Sequence, residues 1–128
     1  MTIGELARAA DTKAETIRYY ERIGLLPAPP RTAGNYRAYA AEHVRRLAFV
    51  RRARGLGFAI DEVRALLDLS DRTEQSCAAV DAIARAHLAA VTRKLADLSA
   101  LRRELETMIG QCRRGTVAEC RILEALAP

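Results

Sequence analysis

Three cysteines have the most distinctive chemistry in this sequence, and they occupy positions 77, 112 and 120. An odd number of cysteines is a poor basis for a disulfide framework. No charged segment followed by an apolar one opens the chain, so we expect no secretory signal. We therefore expect a cytoplasmic protein with reduced thiols. Reduced thiols are soft ligands that suit soft metal ions.

The segment between Cys77 and Cys112 must position these thiols. It runs from Ala78 to Gln111, and Gly110 is its one helix breaker. Apolar side chains recur in it at steps of three and four, which predicts one long helix with a single apolar stripe. The stripe consists of Leu88, Val91, Leu95, Leu98, Leu101, Leu105, Met108 and Ile109.

A straight helix of this length would hold Cys77 about 50 Å from Cys112, at 1.5 Å per residue. The two thiols of one chain could not then share an ion. An antiparallel pair of identical helices would cover the stripe and bring Cys77 of one chain to Cys112 and Cys120 of the other, twice. The alternative is a dimerisation helix whose cysteines are incidental.

Basic and aromatic residues are concentrated in the first part of the chain. Residues 1–54 contain 11 Lys and Arg against 5 Asp and Glu, and all six Tyr and Phe residues precede position 59. This pattern favours the phosphate backbone of nucleic acid as a partner, although basic surfaces are common in proteins. No apolar run among the 128 residues approaches the length of a membrane span, so we expect no membrane association.

Two short helices are predicted at the start of the chain. Thr2 and Glu5 fit a capping box, and Thr12 and Glu15 fit a second one. Two helices joined by a tight turn are typical of a helix-turn-helix, whose second helix lies in the major groove. We interpret residues 13–23 as this recognition helix. Its candidate DNA-binding residues are Lys13, Thr16, Arg18, Tyr19 and Tyr20.

A short hairpin, or wing, is predicted after the prolines at positions 27, 29 and 30. Gly34 and Asn35 indicate its turn. Arg31, Tyr36 and Arg37 flank the turn and are candidate DNA contacts. A guanidinium can pair with a phosphate through its planar fork, and a phenol can hydrogen-bond to it. Tyr39 is expected in the core.

Further helices are predicted over residues 41–54 and 61–69, and the polar residues 70–76 are interpreted as a linker. We therefore divide the chain into an N-terminal head with a helix-turn-helix and a wing (1–69), the linker (70–76), a long helix (77–111) and a loop with a short C-terminal helix (112–128); the resemblance described next implies that these are a winged helix-turn-helix DNA-binding domain, a dimerisation helix and a metal-binding loop.

Together these motifs resemble the MerR family of transcriptional regulators, and specifically its heavy-metal-sensing branch. The resemblance covers essentially the whole chain. It is carried by the three cysteines and by Ile3-Gly-Glu-Leu-Ala7, Glu15-Thr-Ile-Arg-Tyr-Tyr-Glu21, Gly24-Leu25, Asn35-Tyr-Arg-Ala-Tyr39 and Arg51-Arg-Ala-Arg-Gly-Leu-Gly-Phe58. It implies a mainly α fold with a winged helix-turn-helix head, a long antiparallel coiled-coil dimerisation helix and a C-terminal metal-binding loop with a short helix.

The resemblance also implies a function, which is not that of an enzyme. A homodimer would sit on promoter DNA, and metal binding would make it distort that DNA so that RNA polymerase can use the promoter. Arg18, Tyr20, Tyr36 and Arg37 match positions that contact the DNA backbone in the family, and Arg31 is a further candidate.

The three cysteines match the metal ligands of the branch and imply a divalent heavy-metal ion: Hg²⁺, Cd²⁺, Pb²⁺ or Zn²⁺. Sensors of divalent ions resemble this chain in having Cys at position 77, whereas sensors of copper(I), silver(I) and gold(I) have Ser there. The eight-residue step from Cys112 to Cys120 is typical of the copper sensors, so a copper(I) or gold(I) sensor using only these two cysteines is one alternative. A thiol redox-sensing regulator is another.

Overall fold

The computed structural model describes residues 1–111 and 115–127. Its elements are helices α1 (Ile3–Ala10), α2 (Ala14–Arg22), α3 (Ala41–Gly55), α4 (Ile60–Ser70), α5 (Ala78–Gln111) and α6 (Arg121–Leu126), with a 3-10 turn over Val117–Glu119. Within the described residues the only β pairing is an isolated antiparallel bridge between Arg31 and Arg37. The mainly α fold class is therefore confirmed.

The chain divides into two compact units, Met1–Val80 and Asp81–Pro128. In the first unit, α1 packs against α2 and α3, and α3 packs against α4. The fully buried side chains of this core are Leu6, Ile17, Leu25, Leu26, Leu47, Val50 and Val63. Tyr39 is 3% exposed, as expected for a core aromatic residue. The core thus holds the recognition helix and the base of the wing in one small domain.

Local hydrogen bonds fix the start of α1 as the sequence predicts. The Thr2 hydroxyl accepts a hydrogen bond from the Glu5 N–H at 3.2 Å, and the Glu5 carboxylate accepts one from the Thr2 N–H at 3.1 Å. These reciprocal bonds satisfy two N–H groups that a helix leaves without partners. They also lower the pKa of the Glu5 carboxyl, mainly through the backbone bond to Thr2.

The predicted capping box at Thr12 is wrong. The N-cap of α2 is Lys13, and no side chain caps this helix. The chain leaves α1 through Asp11, whose φ of 49° is left-handed, and the Thr12 N–H donates back to the Ala7 carbonyl. The Thr12 hydroxyl donates to the Ala10 carbonyl at 3.0 Å, so it completes the end of α1 rather than the start of α2.

A buried histidine caps the third helix. His43 is 4% exposed, and its Nδ1 accepts a hydrogen bond from the Ala40 N–H at 3.0 Å. Its ring meets the edge of the Tyr39 ring, with centroids 5.3 Å apart and an interplanar angle of 88°. These contacts hold the His43 ring in the core as the cap of α3.

The 34-residue helix α5 contains no buried residue. Its apolar stripe is exposed within the single chain, with Leu95 and Leu98 each 60% accessible to solvent. In the described part of the chain no helix is long and apolar enough to cross a membrane. Among the described residues the stripe is therefore an exposed apolar face.

Candidate DNA-binding surface and metal centre

The recognition helix α2 presents a polar face to solvent. Arg18 and Tyr19 are exposed, as is Lys13 just before the helix. The Arg22 guanidinium lies 5.4 Å from the centre of the Tyr19 ring, a cation–π arrangement that orients both groups. Ile17 anchors the opposite face in the core with no exposed area.

Two predicted contact residues of α2 are only half exposed. Thr16 and Tyr20 each retain partial solvent access. Tyr20 packs against the core cluster that contains Ile17, and its ring lies 5.9 Å from that of Tyr19. Tyr20 therefore has a packing role in addition to any contact that its hydroxyl makes.

The wing is a tight hairpin closed by its backbone. The Thr32 N–H donates to the Tyr36 carbonyl at 2.7 Å, and the Ala38 N–H donates to the Pro30 carbonyl at 2.8 Å. Asn35 supplies the turn with a left-handed φ of 65°. These bonds leave Tyr36 at the tip, where its side chain is 75% exposed.

Both wing arginines have partners in the protein. One terminal nitrogen of Arg31 donates to the Asn35 carbonyl at 3.1 Å, across the hairpin. The Nε of Arg37 lies 3.3 Å from a carboxylate oxygen of Glu21 on α2. Arg37 thus links the wing to the recognition helix, and its terminal nitrogens have no recorded partner among the described residues.

Glu21 receives a second donor from the core. The Tyr39 hydroxyl donates a hydrogen bond to the other carboxylate oxygen of Glu21. Burial raises the pKa of Tyr39 to about 12, and the bond to Glu21 and the charge of Glu21 act in the same direction. Tyr39 is consequently a neutral donor at physiological pH. The Glu21 side chain is only 9% exposed, so Arg37 and Tyr39 replace most of the water that would otherwise solvate its carboxylate.

Three other arginines bind main-chain carbonyls inside the first unit. Arg46 donates to Leu25 at 3.0 Å and Arg64 donates to Ile23 at 2.6 Å, which fixes the segment just after α2. Arg54 donates to the Phe58 carbonyl at 2.7 Å at the end of α3. These three arginines therefore stabilise the fold of the first unit.

Arg54 is a candidate contact that the sequence reasoning missed. It lines two grooves beside the recognition helix, each of which also includes Thr16 and Tyr20. Arg51 lines one of them and pairs with Asp11 at 2.8 Å. The sequence pattern did not indicate that the end of α3, which carries both residues, adjoins α2.

The cysteines lie at the ends of helices. Cys77 is exposed and directly precedes α5, where the Ser76 hydroxyl accepts a hydrogen bond from the Ala78 N–H at 3.0 Å. Cys120 is half-buried and is the N-cap of α6, and its carbonyl accepts from the Glu124 N–H at 3.0 Å. Cys112 lies outside the described residues.

Within residues 1–111 and 115–127 of one chain, no three His, Cys, Asp or Glu side chains form a group that could hold a metal. The predicted ligand set includes Cys112, which lies outside these residues, so it stays a prediction. The donor chemistry fits a soft ion, because the candidate groups are thiols.

Two family models match the chain. The model described as MerR HTH family regulatory protein matches residues 1–70, and the model described as MerR, DNA binding matches residues 44–108. Among curated relatives, the HTH-type transcriptional regulator HmrR of Rhizobium leguminosarum bv. viciae is 42% identical over 127 residues, which cover 99% of this chain and 98% of the relative.

Two solved structures extend the comparison. The transcription regulator PbrR691 from Ralstonia metallidurans CH34, in complex with lead(II), matches with a TM-score of 0.88 and 46% identity over 99% of each chain. The dual function regulator MerR from Bacillus megaterium MB1, in complex with mercury(II), matches with a TM-score of 0.76 and 35% identity over 98% of each chain. The chain therefore belongs to the MerR family of transcriptional regulators, in its heavy-metal-responsive branch.

Proposed function

We propose that this regulator acts as a homodimer on promoter DNA and senses a divalent soft heavy-metal ion. The ion is bound by Cys77 of one subunit and by Cys112 and Cys120 of the other, twice per dimer. Binding changes the shape of the DNA and so permits transcription by RNA polymerase.

The observation that carries the proposal is the exposed apolar stripe of α5. Its large apolar side chains retain between 37% and 63% of their surface in the single chain: Leu88, Val91, Leu95, Leu98, Leu101, Leu105 and Ile109. A lone helix with such a face gains little from folding without a partner. A second antiparallel copy covers the face by symmetry and places opposite helix ends side by side.

The thiol set favours a divalent over a monovalent ion. Two thiolates satisfy a monovalent soft ion in a linear arrangement, and Cys77 would then have no role in binding. Three thiolates around M²⁺ leave one net negative charge and a coordination number of three, which suits Hg²⁺, Pb²⁺ and Cd²⁺ better than Zn²⁺, since zinc prefers four ligands.

The DNA-binding role rests on the exposed polar faces of α2 and the wing. In our proposal Lys13, Thr16, Arg18, Tyr19 and Tyr20 on or beside the recognition helix, together with Arg31, Tyr36 and Arg37 of the wing, contact the duplex. Contacts of this kind fix the position of a protein on DNA. They also supply the roughly 1–6 kcal/mol that bending a binding site costs.

A metal titration tests the cysteine set. Hg²⁺, Pb²⁺, Cd²⁺, Zn²⁺ and Cu⁺ are added separately to the reduced protein, and thiolate-to-metal charge transfer is followed in the ultraviolet. We expect one divalent ion per cysteine set and a large loss of affinity for it in Cys77→Ser. Ser76→Ala is the matched control, because it changes the neighbouring residue and leaves all three thiols.

Transcription in vitro in the presence of each of the same ions measures how the regulator responds to that ion. If Cys77→Ser binds and responds to divalent ions as well as the parent does, the three-thiolate set is wrong. A response to Cu⁺ alone that survives Cys77→Ser would identify a monovalent-ion sensor. Disulfide formation under peroxide that activates transcription without metal would identify a redox sensor.

A further inference from the structure

A carboxylate at the junction of the wing and the recognition helix is difficult to explain by DNA binding alone. Glu21 belongs to α2, the helix expected in the major groove, and its side chain is 9% exposed. A negative charge near the phosphates of DNA weakens binding through Coulomb repulsion. Its position at this junction therefore calls for a compensating role.

The contacts of Glu21 indicate that role. One carboxylate oxygen lies 3.3 Å from the Nε of Arg37, and the other accepts the hydroxyl of Tyr39. Tyr39 is buried in the core, whereas Arg37 is a wing residue whose side chain is 37% exposed. One carboxylate thus links a partly exposed cation of the wing to a buried hydroxyl of the core.

The backbone makes this tie act on the whole wing. Arg37 is the partner of Arg31 in the single β bridge of the described chain, and Tyr36 directly precedes it at the exposed tip. Because the Arg37 side chain is held on α2, the hairpin that carries Arg37 is held at a fixed distance from α2. The guanidinium binds Glu21 through Nε, which leaves its two terminal nitrogens available for a phosphate fork.

We propose that Glu21 is a positioning residue for DNA binding: it holds Arg37 and the wing in register with the recognition helix, so that both elements reach their phosphates together. The inference rests on the proposed function, in which Arg37 contacts DNA. It assigns to Glu21 a role in affinity for the duplex, because the phosphate contacts of α2 and the wing then have to be made at a fixed spacing.

Glu21→Gln tests the inference, with Glu15→Gln as the matched control. Both variants remove one negative charge from α2, but Glu15 is exposed and has no recorded partner among the described residues. Binding of the full-length dimer is measured against a duplex that the parent protein selects from a random pool, and against a scrambled duplex of the same composition, over a range of salt concentrations.

Charge removal and loss of positioning have opposite effects. Charge removal alone strengthens binding to both duplexes and steepens the salt dependence. Loss of positioning weakens binding to the selected duplex by about ten-fold, the loss expected for one charge-assisted contact, and makes the salt dependence shallower by about one ion. We expect the first result for Glu15→Gln and the second for Glu21→Gln.

A double-mutant cycle separates positioning from an effect on folding alone. Arg37→Ala should weaken binding of the parent, and it should have little further effect in the Glu21→Gln background, because Arg37 is no longer held there. Equal effects of Arg37→Ala in both backgrounds, or tighter binding by Glu21→Gln, would overturn the inference. If Glu21→Gln does not fold, Glu21→Asp keeps the charge and shortens the reach by one methylene, and the same loss of affinity is expected from it.

Failure of the proposed function gives a different result. If Arg37→Ala leaves binding of the parent unchanged, Arg37 is not a DNA contact, and the proposed interface is wrong at this residue. If Arg37→Ala weakens binding and the two Glu variants behave alike, the interface stands and the positioning role of Glu21 is refuted.

Discussion

Leu98→Ala is the perturbation that tests the apolar stripe of α5 most simply. Leu98 lies in the middle of the helix, and 60% of its surface is exposed in the single chain. Full burial of a leucine side chain is worth about 1.5–3 kcal/mol. Burial of the exposed part on dimerisation is then worth about 0.9–1.8 kcal/mol for each chain.

The two-fold symmetry of the proposed dimer doubles this value. Two copies of Leu98 are buried together, so the substitution should cost about 1.8–3.6 kcal/mol of dimer stability. That loss corresponds to an increase of about 20- to 400-fold in the dimer dissociation constant. Helix propensity does not contribute to the loss, because alanine is at least as favourable as leucine in a helix.

Sedimentation equilibrium of the reduced, metal-free protein measures the dissociation constant. If the parent dimer is too tight for this method, chemical unfolding at several protein concentrations gives the same quantity. Arg93→Ala is the matched control, because Arg93 lies on the opposite side of α5 from the stripe and is exposed. Equal dissociation constants for Leu98→Ala and Arg93→Ala would refute the assignment of the stripe to a dimer interface.

Three further predictions concern the head. Gly24 has a φ of 77°, and an added Cβ would lie 3.4 Å from the Arg64 guanidinium. Gly24→Ala should therefore lower the free energy of unfolding, measured by chemical denaturation, by about 1–2 kcal/mol. Gly55→Ala is the control and should not lower it, because an added Cβ at Gly55 meets open space. The pKa of the Glu5 carboxyl is lowered in the folded protein. The contribution of the Glu5 cap to the free energy of unfolding is therefore present above the ordinary pKa of the carboxyl and is lost as the pH falls through the lowered value. Glu5→Gln should remove this part of the acid dependence of stability. The pKa of Tyr39 is raised to about 12, so ultraviolet titration should show one tyrosine that ionises near pH 12 and is absent from Tyr39→Phe. The free energy of unfolding should fall as the pH rises from about 10 to 12. Ionisation of every tyrosine near pH 10 would contradict the buried bond to Glu21.

The sequence was most informative where structure depends on local pattern. The capping box at Thr2 and the length of α5 follow from residue types at fixed short spacings, and the structure has both. The predicted capping box at Thr12 failed because a hydroxyl between two helices can complete either of them. The left-handed backbone at Asp11 places the Thr12 hydroxyl at the end of α1, where it donates to the Ala10 carbonyl.

Contacts between distant residues could not be predicted from the pattern. Arg37 was identified as a DNA contact on its type and place in the wing, but its pairing with Glu21 depends on how the wing folds over α2. Arg46 and Arg64 were indistinguishable from surface arginines until their carbonyl partners were known. The metal ligand set stays a prediction, because Cys112 lies outside the described residues and the proposed site needs two chains.

The most direct test of the shared metal site is a mixed dimer. One subunit carries Cys77→Ser, the other carries Cys112→Ser and Cys120→Ser, and different affinity tags allow purification of the heterodimer. If thiols of opposite subunits meet, one site per dimer keeps all three cysteines, and the heterodimer should bind one divalent ion with the affinity of the parent while neither homodimer does. A heterodimer that binds no more tightly than the two homodimers would contradict the account, since it would place all the ligands of each ion within a single chain.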